Sequence, residues 1–549
     1  MGSRAVTVDA DTTGAAGGGA QASFVGGALV LVAGSLFSRL LGATYRLVLP
    51  ILMGGGMRAA VGMGLYQLAY PMFTVLITLI TTGFPLAISK LVAERLAQGD
   101  QAGAQRIFRA ARAGLPVLGG LFAAMLWIGA PWFARHVADD LQAVLPIRAI
   151  APAILTVSFA SAYRGAFQGM GDMVPYAVSQ VVEQIGRIAA MFGLVLLLLP
   201  LGIQWAAAGA AFGAVVGGVF ASASLVVAWR RRVAARWRAV AAEGRRRLTA
   251  AFGSVLRLAV PIAAGATLLP VLNVADAAIV PLRLRAAGLG PESIALYGVL
   301  TGYAAPLVLA PTVFTAGLAM SLLPAVASAQ AAGQHAATKR AVAAGLRLAA
   351  LVALPSAAGL AVLAGPLPRL LFHTSLAAGP LLAMAPALVF LSLQQTSSGI
   401  LQALGRPDLP VRNLAVGGAV KVALEWFLVA RPGWNVSGAA LATSVAFAIA
   451  CSLNLWEVQR RVPHAIDWGG TVLRPVAACA VMVAAVLAVV HGLRGHVLLQ
   501  VAAGVACGVG VYGAALLAVG GLRREDLERV PRLGPRIAAR LAGAGLLRG

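Results

Sequence analysis

The stretch SRLLGATYRLVLP, Ser38–Pro50, decides how this chain must fold, because it places two arginines inside an apolar segment running from Phe24 to about Leu52. Arg39 and Arg46 are seven residues apart, about two helical turns, so both point to nearly the same side of a helix. A cation at bilayer depth costs at least about 2.5–3.5 kcal/mol and normally faces a partner or a hydrated cavity. We interpret the stretch as part of a cavity, surrounded by much of the chain, that receives a phosphate-bearing lipid headgroup. The alternative is that both arginines are structural and pair with main-chain carbonyls or cap an interface.

The composition indicates a protein that crosses a membrane many times. The chain has 549 residues, of which 60% are hydrophobic and 11% are charged. A soluble domain carries about 25% charged residues, so this chain lacks the polar surface of a water-soluble fold. The formal net charge of +25 would suggest nucleic-acid binding in a soluble chain. In a membrane protein it is explained by basic cytoplasmic loops, and we expect no nucleic-acid partner.

Fourteen membrane-spanning helices are predicted, because about 20 apolar residues fill a hydrocarbon core about 30 Å thick. Lys and Arg concentrate in alternate loops and in both tails, which predicts that both termini are cytoplasmic. Pro85, Pro270 and Pro311 are candidate bends within these helices. The predicted spans lie near residues 24–51, 65–89, 107–131, 145–168, 174–200, 204–229, 253–282, 296–324, 341–365, 379–402, 410–430, 434–458, 472–491 and 497–520.

An internal repeat with an offset of 234 residues organises the first twelve helices. Thr81-Thr82-Gly83 recurs as Thr315-Ala316-Gly317, and Arg187 and Lys421 share this offset. Because each copy has six helices, both copies have the same orientation, and an axis along the membrane normal relates them. We predict an all-α polytopic membrane protein with two six-helix lobes around a central cleft, plus two C-terminal helices. The predicted regions are a disordered cytoplasmic tail (1–22), an N-lobe (23–229), a basic cytoplasmic connector (230–252), a C-lobe (253–460), helices 13 and 14 (461–521) and a basic cytoplasmic tail (522–549).

Charged residues inside the predicted spans are further candidates for function. Glu183 and Arg187 are four residues apart, as are Lys421 and Glu425, so each pair can neutralise itself along its helix. Either these pairs lock helices together, or Arg187 and Lys421 bring symmetric positive charge to the cleft and bind substrate. The sequence leaves both interpretations open.

Asp276 has no partner within its own predicted helix. It either contacts Arg283 or a residue of another helix, or it carries an ion, as intramembrane carboxylates of transporters often do. Asp276, Glu183 and Glu425 are therefore the candidates for binding a coupling ion, either H+ or Na+.

Three segments resemble a known family. They are the block Ser38–Asp100, with GMGLYQLAYPMFTVLITLITTGFPLAISKLVAERLAQGD at its end, RGAFQGMGDMVPYAVSQVVEQIGRI at 164–188, and LQALGRPDLPVRNLAVGGAVKVAL at 401–424. They resemble the stage V sporulation protein B branch of the MOP flippase superfamily, which is similar to MurJ-like lipid II flippases. The resemblance implies fourteen helices in two V-shaped lobes, alternating access, and a lipid-linked oligosaccharide diphosphate as cargo. It also implies that Arg39 and Arg46, as helix-1 cavity arginines, meet the diphosphate.

One segment departs from the MurJ-like pattern. That pattern has a further cavity arginine in the eighth helix, within a Tyr-Ala-Asp-Arg-Leu-like motif. Here the corresponding neighbourhood reads LYGVLTGYAAPL, Leu296–Leu307, and carries no charge.

The function expected from the sequence is a flippase for lipid II or a related polyprenyl-diphosphate precursor of cell wall, polysaccharide or spore. We expect no enzyme activity, cofactor or metal site, since Cys451, Cys479 and Cys507 lie in apolar segments without CxxC spacing and no GxxxxGK[ST] loop occurs. The membrane potential or a coupling ion would drive transport. Membrane lipids and cell-wall synthesis or division proteins are the other expected partners. Two alternatives remain: an ion-coupled exporter of small organic cations, which needs uncompensated carboxylates in the cleft, and a membrane-embedded glycosyl- or phosphotransferase, which needs an acidic metal-binding cluster.

Overall fold

The computed structural model of the protein describes residues 38, 41–42, 45–234, 237 and 245–521. Within these residues all regular secondary structure is helical, which confirms the predicted fold class. Eleven of the helices in this part are long and apolar enough to cross a membrane. The chain is therefore a multi-pass membrane protein, although this number does not establish the predicted fourteen spans.

The first lobe is built from seven helices in the described part, some of which continue into one another through short π-helical or 3-10 turns. They are α1 (Gly56–Thr78), α2 (Phe84–Ala97), α3 (Gln101–Phe133), α4 (Val144–Ile150), α5 (Pro152–Gly169), α6 (Met173–Leu198) and α7 (Ile203–Arg232). Residues 45–52, which precede α1, are also helical.

The second half of the chain contributes twelve more helices within the described residues. They are α8 (Arg245–Ala266), α9 (Leu268–Ala286), α10 (Ser293–Gly298), α11 (Ala305–Leu309), α12 (Thr312–Ala331), α13 (His335–Val362), α14 (Pro366–Phe372), α15 (Ala378–Ala403), α16 (Asp408–Leu428), α17 (Asn435–Arg461), α18 (Arg474–Gly492) and α19 (Val497–Ala518). The last two pack against each other.

Three predicted spans account for the difference between fourteen and eleven. Most of the first, 24–51, lies outside the described residues. The eighth is interrupted, so that only a short apolar stretch, Ser293–Leu309, precedes α12. The eleventh corresponds to α16, which is a full helix but carries Arg412, Lys421 and Glu425 and is therefore less apolar than an ordinary span.

Helix breaks lie next to the prolines that the sequence marks as candidate bends. The predicted seventh span divides into α8 and α9 at Thr267, because Pro270 has no N–H to donate to the Ala266 carbonyl and its ring crowds that carbonyl. A second break separates α11 from α12 at Pro311. The π-helical turn Leu79–Gly83 lies just before Pro85.

The segment α8 packs against the first lobe, although it opens the second repeat. Val255 and Ala259 of α8 are fully buried in one cluster with Phe84 and Ile88 of α2. The helix also contacts α3. The segment α9, in contrast, lies between α1 of the first lobe and α16 of the second.

The two lobes meet where α1 crosses α10, at positions that the repeat makes equivalent. A Cβ added to Gly64 would overlap the carbonyl oxygen of Ile294, and one added to Gly298 would overlap that of Ala60. Ala60 and Ile294 are 234 residues apart, as are Gly64 and Gly298. Each glycine thus lets its helix approach the backbone of the other. This crossing has the two-fold symmetry that the repeat predicts.

Further contacts close the cleft at the end where α1 begins. Arg285 of α9 pairs with Asp139 (Nη1 to Oδ2, 3.3 Å) and donates hydrogen bonds to the carbonyl oxygens of Val137 (3.3 Å) and Ala138. The Tyr303 hydroxyl donates to the carbonyl of Gly56 at 2.7 Å. Here the second lobe is therefore joined to the first by an ion pair and by hydrogen bonds to main-chain oxygens.

Candidate functional site

The cleft between the lobes contains two neighbouring cavities of about 350 and 340 Å³. Each is lined by residues of both lobes, which places the predicted cleft at the lobe interface. Each volume is within the range of about 300–1,000 Å³ that small-molecule sites occupy. The two cavities share the lining residues Arg46, Tyr70, Pro306, Leu309 and Gln395.

Two cations lie beside the same aromatic ring in the first cavity. The Arg187 guanidinium donates a hydrogen bond from Nη2 to the Tyr70 hydroxyl at 2.9 Å, and its Cζ lies 5.3 Å from the centroid of the Tyr70 ring. Arg46 Cζ lies 5.9 Å from that centroid. Among the described residues, neither guanidinium forms an ion pair with a carboxylate. Both retain the capacity to bind an anion.

Aromatic rings take the place of counter-ions at this site. Tyr66 and Tyr70 are four residues apart on α1 and face the same way, with ring centroids 5.6 Å apart. The ring of Tyr45 lies 5.6 Å from Arg187 Cζ. A cation over an aromatic face gains about 0.5–1 kcal/mol when exposed and about 2 kcal/mol or more when desolvated. These tyrosines are not among the residues predicted from the sequence, although Tyr45 is adjacent to Arg46 and Tyr66 and Tyr70 have helical spacing.

Arg39, the other arginine predicted in the first helix, lies outside the described residues, so its role stays a prediction. Next to Arg46, the structure places Arg187 of α6. Two of the predicted substrate-binding residues, Arg46 and Arg187, therefore line the same cavity.

Glu183 lies in an ion pair within the first lobe. Its Oε2 is 2.7 Å from Nη2 of Arg164, whose Nε also donates to the Ser179 hydroxyl at 2.9 Å. Glu183 thus turns toward α5, whereas Arg187, one turn further along α6, turns toward Tyr70. Glu183 therefore pairs with Arg164 and not with Arg187, the partner considered from the sequence.

Lys421 joins two carboxylates beside the second cavity. Its Nζ is 2.5 Å from Asp276 Oδ2 on α9 and 3.5 Å from Glu425 Oε1 on α16. The Lys421–Glu425 pair along the helix is therefore present, and Asp276 finds its partner in another helix. Arg283, the other partner considered for Asp276, donates instead to the Trp426 carbonyl at 2.8 Å. We call Asp276, Lys421 and Glu425 the triad.

The charged groups that line the two cavities are mostly cationic. Arg46, Arg187 and Lys421 supply three positive charges, and Asp276 supplies one negative charge. Gln395 also contributes a side-chain oxygen that is buried without a hydrogen-bond partner. Among the described residues, no group of three or more His, Cys, Asp or Glu side chains could hold a metal ion. The arrangement suits an anion that carries hydrogen-bond donors, such as a phosphorylated sugar.

Comparisons with known proteins agree with this architecture. The polysaccharide biosynthesis protein family matches residues 24–290, and the MatE family matches residues 261–427. The chain is 28% identical to stage V sporulation protein B of Bacillus subtilis, over 94% of this chain and 99% of that protein. It is 27% identical to the lipid II flippase MurJ of the same organism, over 77% of this chain and 80% of that protein.

A solved structure shows the same fold. The lipid II flippase MurJ in an inward closed conformation superimposes with a TM-score of 0.67 at 14% sequence identity, covering 89% of this chain and 98% of the other. The family matches and the sequence relatives together confirm the resemblance stated from the three sequence segments.

Proposed function

The chain is a multi-pass membrane protein similar to flippases and transporters of the MOP superfamily, and from this premise we propose that it moves a lipid-linked oligosaccharide diphosphate across the cytoplasmic membrane. The cargo is lipid II or a related polyprenyl-diphosphate precursor. The proposal is carried by one observation: Arg46 and Arg187 lie beside one tyrosine ring in the cleft, and no carboxylate of the described residues pairs with them. Guanidinium groups bind phosphate oxygens through two parallel hydrogen bonds, and two guanidinium groups suit a diphosphate.

Loop charge supports a direction for this transport. The Lys/Arg bias assigns the end where α1 begins to the exterior, which is also the end closed by Arg285 and Asp139. The cleft would then be loaded from the cytoplasmic leaflet. Export of an anion from a negative interior gains about 2.3 kcal/mol per charge per 100 mV of membrane potential.

In the proposed cycle the lobes rock about the crossing of α1 and α10. The Arg285–Asp139 contact separates as the external end opens, and the headgroup leaves the cleft on that side. Both termini remain cytoplasmic throughout, and the polyprenyl tail remains in the surrounding lipid.

The proposal is tested by translocation of fluorescently labelled lipid II in proteoliposomes. We expect Arg46→Ala/Arg187→Ala to lose most of the activity. Arg283→Ala is the matched control, because Arg283 is an arginine that contacts the Trp426 carbonyl and lines neither cavity. Wild-type activity of the double variant, with the protein correctly inserted, would refute the proposed site.

The second candidate is an ion-coupled exporter of small organic cations, which the MatE match over residues 261–427 favours. That chemistry needs a carboxylate free to meet a cation. The cavity-lining carboxylate is Asp276, and Lys421 already pairs with it. Resistance to toxic organic cations on expression, abolished by Asp276→Asn, would support the exporter over the flippase.

A further inference from the structure

The triad holds more negative than positive charge in a buried position. Asp276 and Glu425 share the single ammonium of Lys421. The side chain of Glu425 is 1% exposed, that of Lys421 8% and that of Asp276 18%. Two carboxylate oxygens, Asp276 Oδ1 and Glu425 Oε2, are buried without a hydrogen-bond partner. Buried polar atoms are normally hydrogen-bonded, so these two oxygens are positions that can accept a proton or a cation.

The Arg164–Glu183 pair in the first lobe provides an internal comparison. It contains one guanidinium and one carboxylate, and the guanidinium also donates to the Ser179 hydroxyl. Its charges therefore balance. Only in the triad does the described part of the membrane interior combine two carboxylates with one cation.

From this imbalance we infer that the triad takes up a proton when a phosphate-bearing ligand binds in the cleft, so that the co-bound ion is H+ and not Na+. The inference rests on the proposed function for the ligand. A metal cation is disfavoured because the Lys421 ammonium already lies within 2.5 Å of one carboxylate and 3.5 Å of the other. A second cation there would face that ammonium at close range.

The geometry gives the proton a route. Lys421 and Asp276 line the second cavity, whereas Glu425 lies behind them. Water in the cavity can therefore exchange protons with Asp276, and Glu425 receives its proton through the triad. Within the part of the chain that the structure describes, the hydroxyl of Tyr297, on α10, is a further titratable group near both carboxylates.

Lys421 links the proton to the ligand. Its ammonium can neutralise the two carboxylates, or it can turn to a phosphate in the same cavity. When it turns to phosphate, two carboxylates remain without a cation, and they bind a proton more tightly. By reciprocity, protonation of the triad releases Lys421 and strengthens phosphate binding. The proton then travels with the anion and reduces the charge enclosed in the cleft.

The experiment measures binding and proton uptake together in the purified, detergent-solubilised full chain. The probe is farnesyl diphosphate, a short polyprenyl diphosphate. We expect its affinity to rise as the pH falls, by up to about tenfold per pH unit, the limit for one linked proton. Proton uptake in weak buffer should accompany binding. Glu425→Gln and Asp276→Asn should each lose this uptake.

Asp408→Asn is the matched control for Asp276→Asn. Asp408 accepts hydrogen bonds from Arg406 at 3.0 and 2.8 Å, before the predicted span 410–430. These bonds lower the pKa of Asp408 to about 2, so this carboxyl stays ionised throughout the titration. The control should take up protons as the wild type does, and it corrects for titration of the probe itself.

Three outcomes separate the two proposals. Two outcomes would refute H+ as the co-bound ion and leave the proposed function unaffected. One is binding without proton uptake, and the other is an affinity that changes when Na+ replaces K+ at constant pH. Infrared titration of the protein alone gives a ligand-independent reading, because a protonated carboxyl band should grow as the pH falls in the wild type and be lost in Glu425→Gln. If that band is lost as expected while farnesyl diphosphate fails to bind at any pH, the titrating triad is supported and the proposed function fails.

Discussion

The side chain of Gln67 donates a hydrogen bond to the main-chain carbonyl of Thr301 at 3.0 Å, and the two residues are 234 positions apart. That spacing equals the repeat offset, so the bond joins a residue of α1 to its counterpart in the second repeat. Together with the glycine crossing nearby, it places the pseudo-two-fold axis between α1 and the segment that begins with α10.

The glycine crossing gives a prediction about stability. In Gly298→Ala the new methyl group would overlap the Ala60 carbonyl, and overpacking of this kind typically costs about 1–3 kcal/mol. We expect a lower thermal unfolding temperature for the purified protein. Gly359→Ala in α13 is the control, since nothing lies within 4 Å of the added carbon there. Equal unfolding temperatures for the two variants would show that the crossing is not tightly packed.

The Arg285 contacts predict how the external end opens. In Arg285→Ala the ion pair to Asp139 and the hydrogen bonds to two carbonyls are lost, so the outward-open state should be more populated. Thr301 lines the second cavity, so Thr301→Cys, in a protein without the native cysteines, measures how accessible the cavity is from outside. We expect a several-fold faster reaction with an impermeant maleimide added outside. An unchanged rate would mean that Arg285 does not hold this end closed.

Tyr70 is predicted to position both cavity arginines. Tyr70→Phe keeps the ring but removes the hydrogen bond from Arg187, a bond to a charged group worth about 1.5–3 kcal/mol. Binding of farnesyl diphosphate should weaken by about tenfold or more. Tyr70→Ala should weaken it further, because the face beside Arg46 is lost as well. Calorimetry on the wild type, Tyr70→Phe and Tyr70→Ala measures their affinities for farnesyl diphosphate. Equal affinities would mean that Tyr70 has only a packing role.

The Arg164–Glu183 pair is predicted to stabilise the first lobe rather than to carry an ion. Removal of one partner of a buried pair leaves an uncompensated charge and costs about 3–5 kcal/mol. Arg164→Met should therefore destabilise the protein strongly, and Arg164→Met/Glu183→Gln should recover part of the loss. Thermal unfolding of both variants tests this. If the double variant is no more stable than the single one, the pair does not account for the loss.

The sequence predicts the helical class, the cleft and the two-fold relation between the lobes. These features can be predicted because the length of apolar segments, the charge of the loops and the fixed repeat offset are each patterns that extend over many residues. It also selects Arg46 and Arg187, since any cation in an apolar span needs an environment that accepts it. It does not reveal that Tyr70 supplies that environment, because a tyrosine in a span is equally typical of helix packing. Partners on different helices, such as Arg164 for Glu183 and Lys421 for Asp276, depend on how those helices face each other, which spacing along one helix does not determine.

The helix break at Thr267 lies between a segment that packs on the first lobe and a segment that contacts both lobes. The segment before it is anchored on α2 and α3, and the segment after it carries Asp276 and Arg285. If the lobes rock about the crossing of α1 and α10, the angle between α8 and α9 must change at this break. Replacement of Pro270 by a good helix former would favour one continuous, stiff helix across Thr267. The lobes could then move apart only if α8 lost its contacts with α2 and α3.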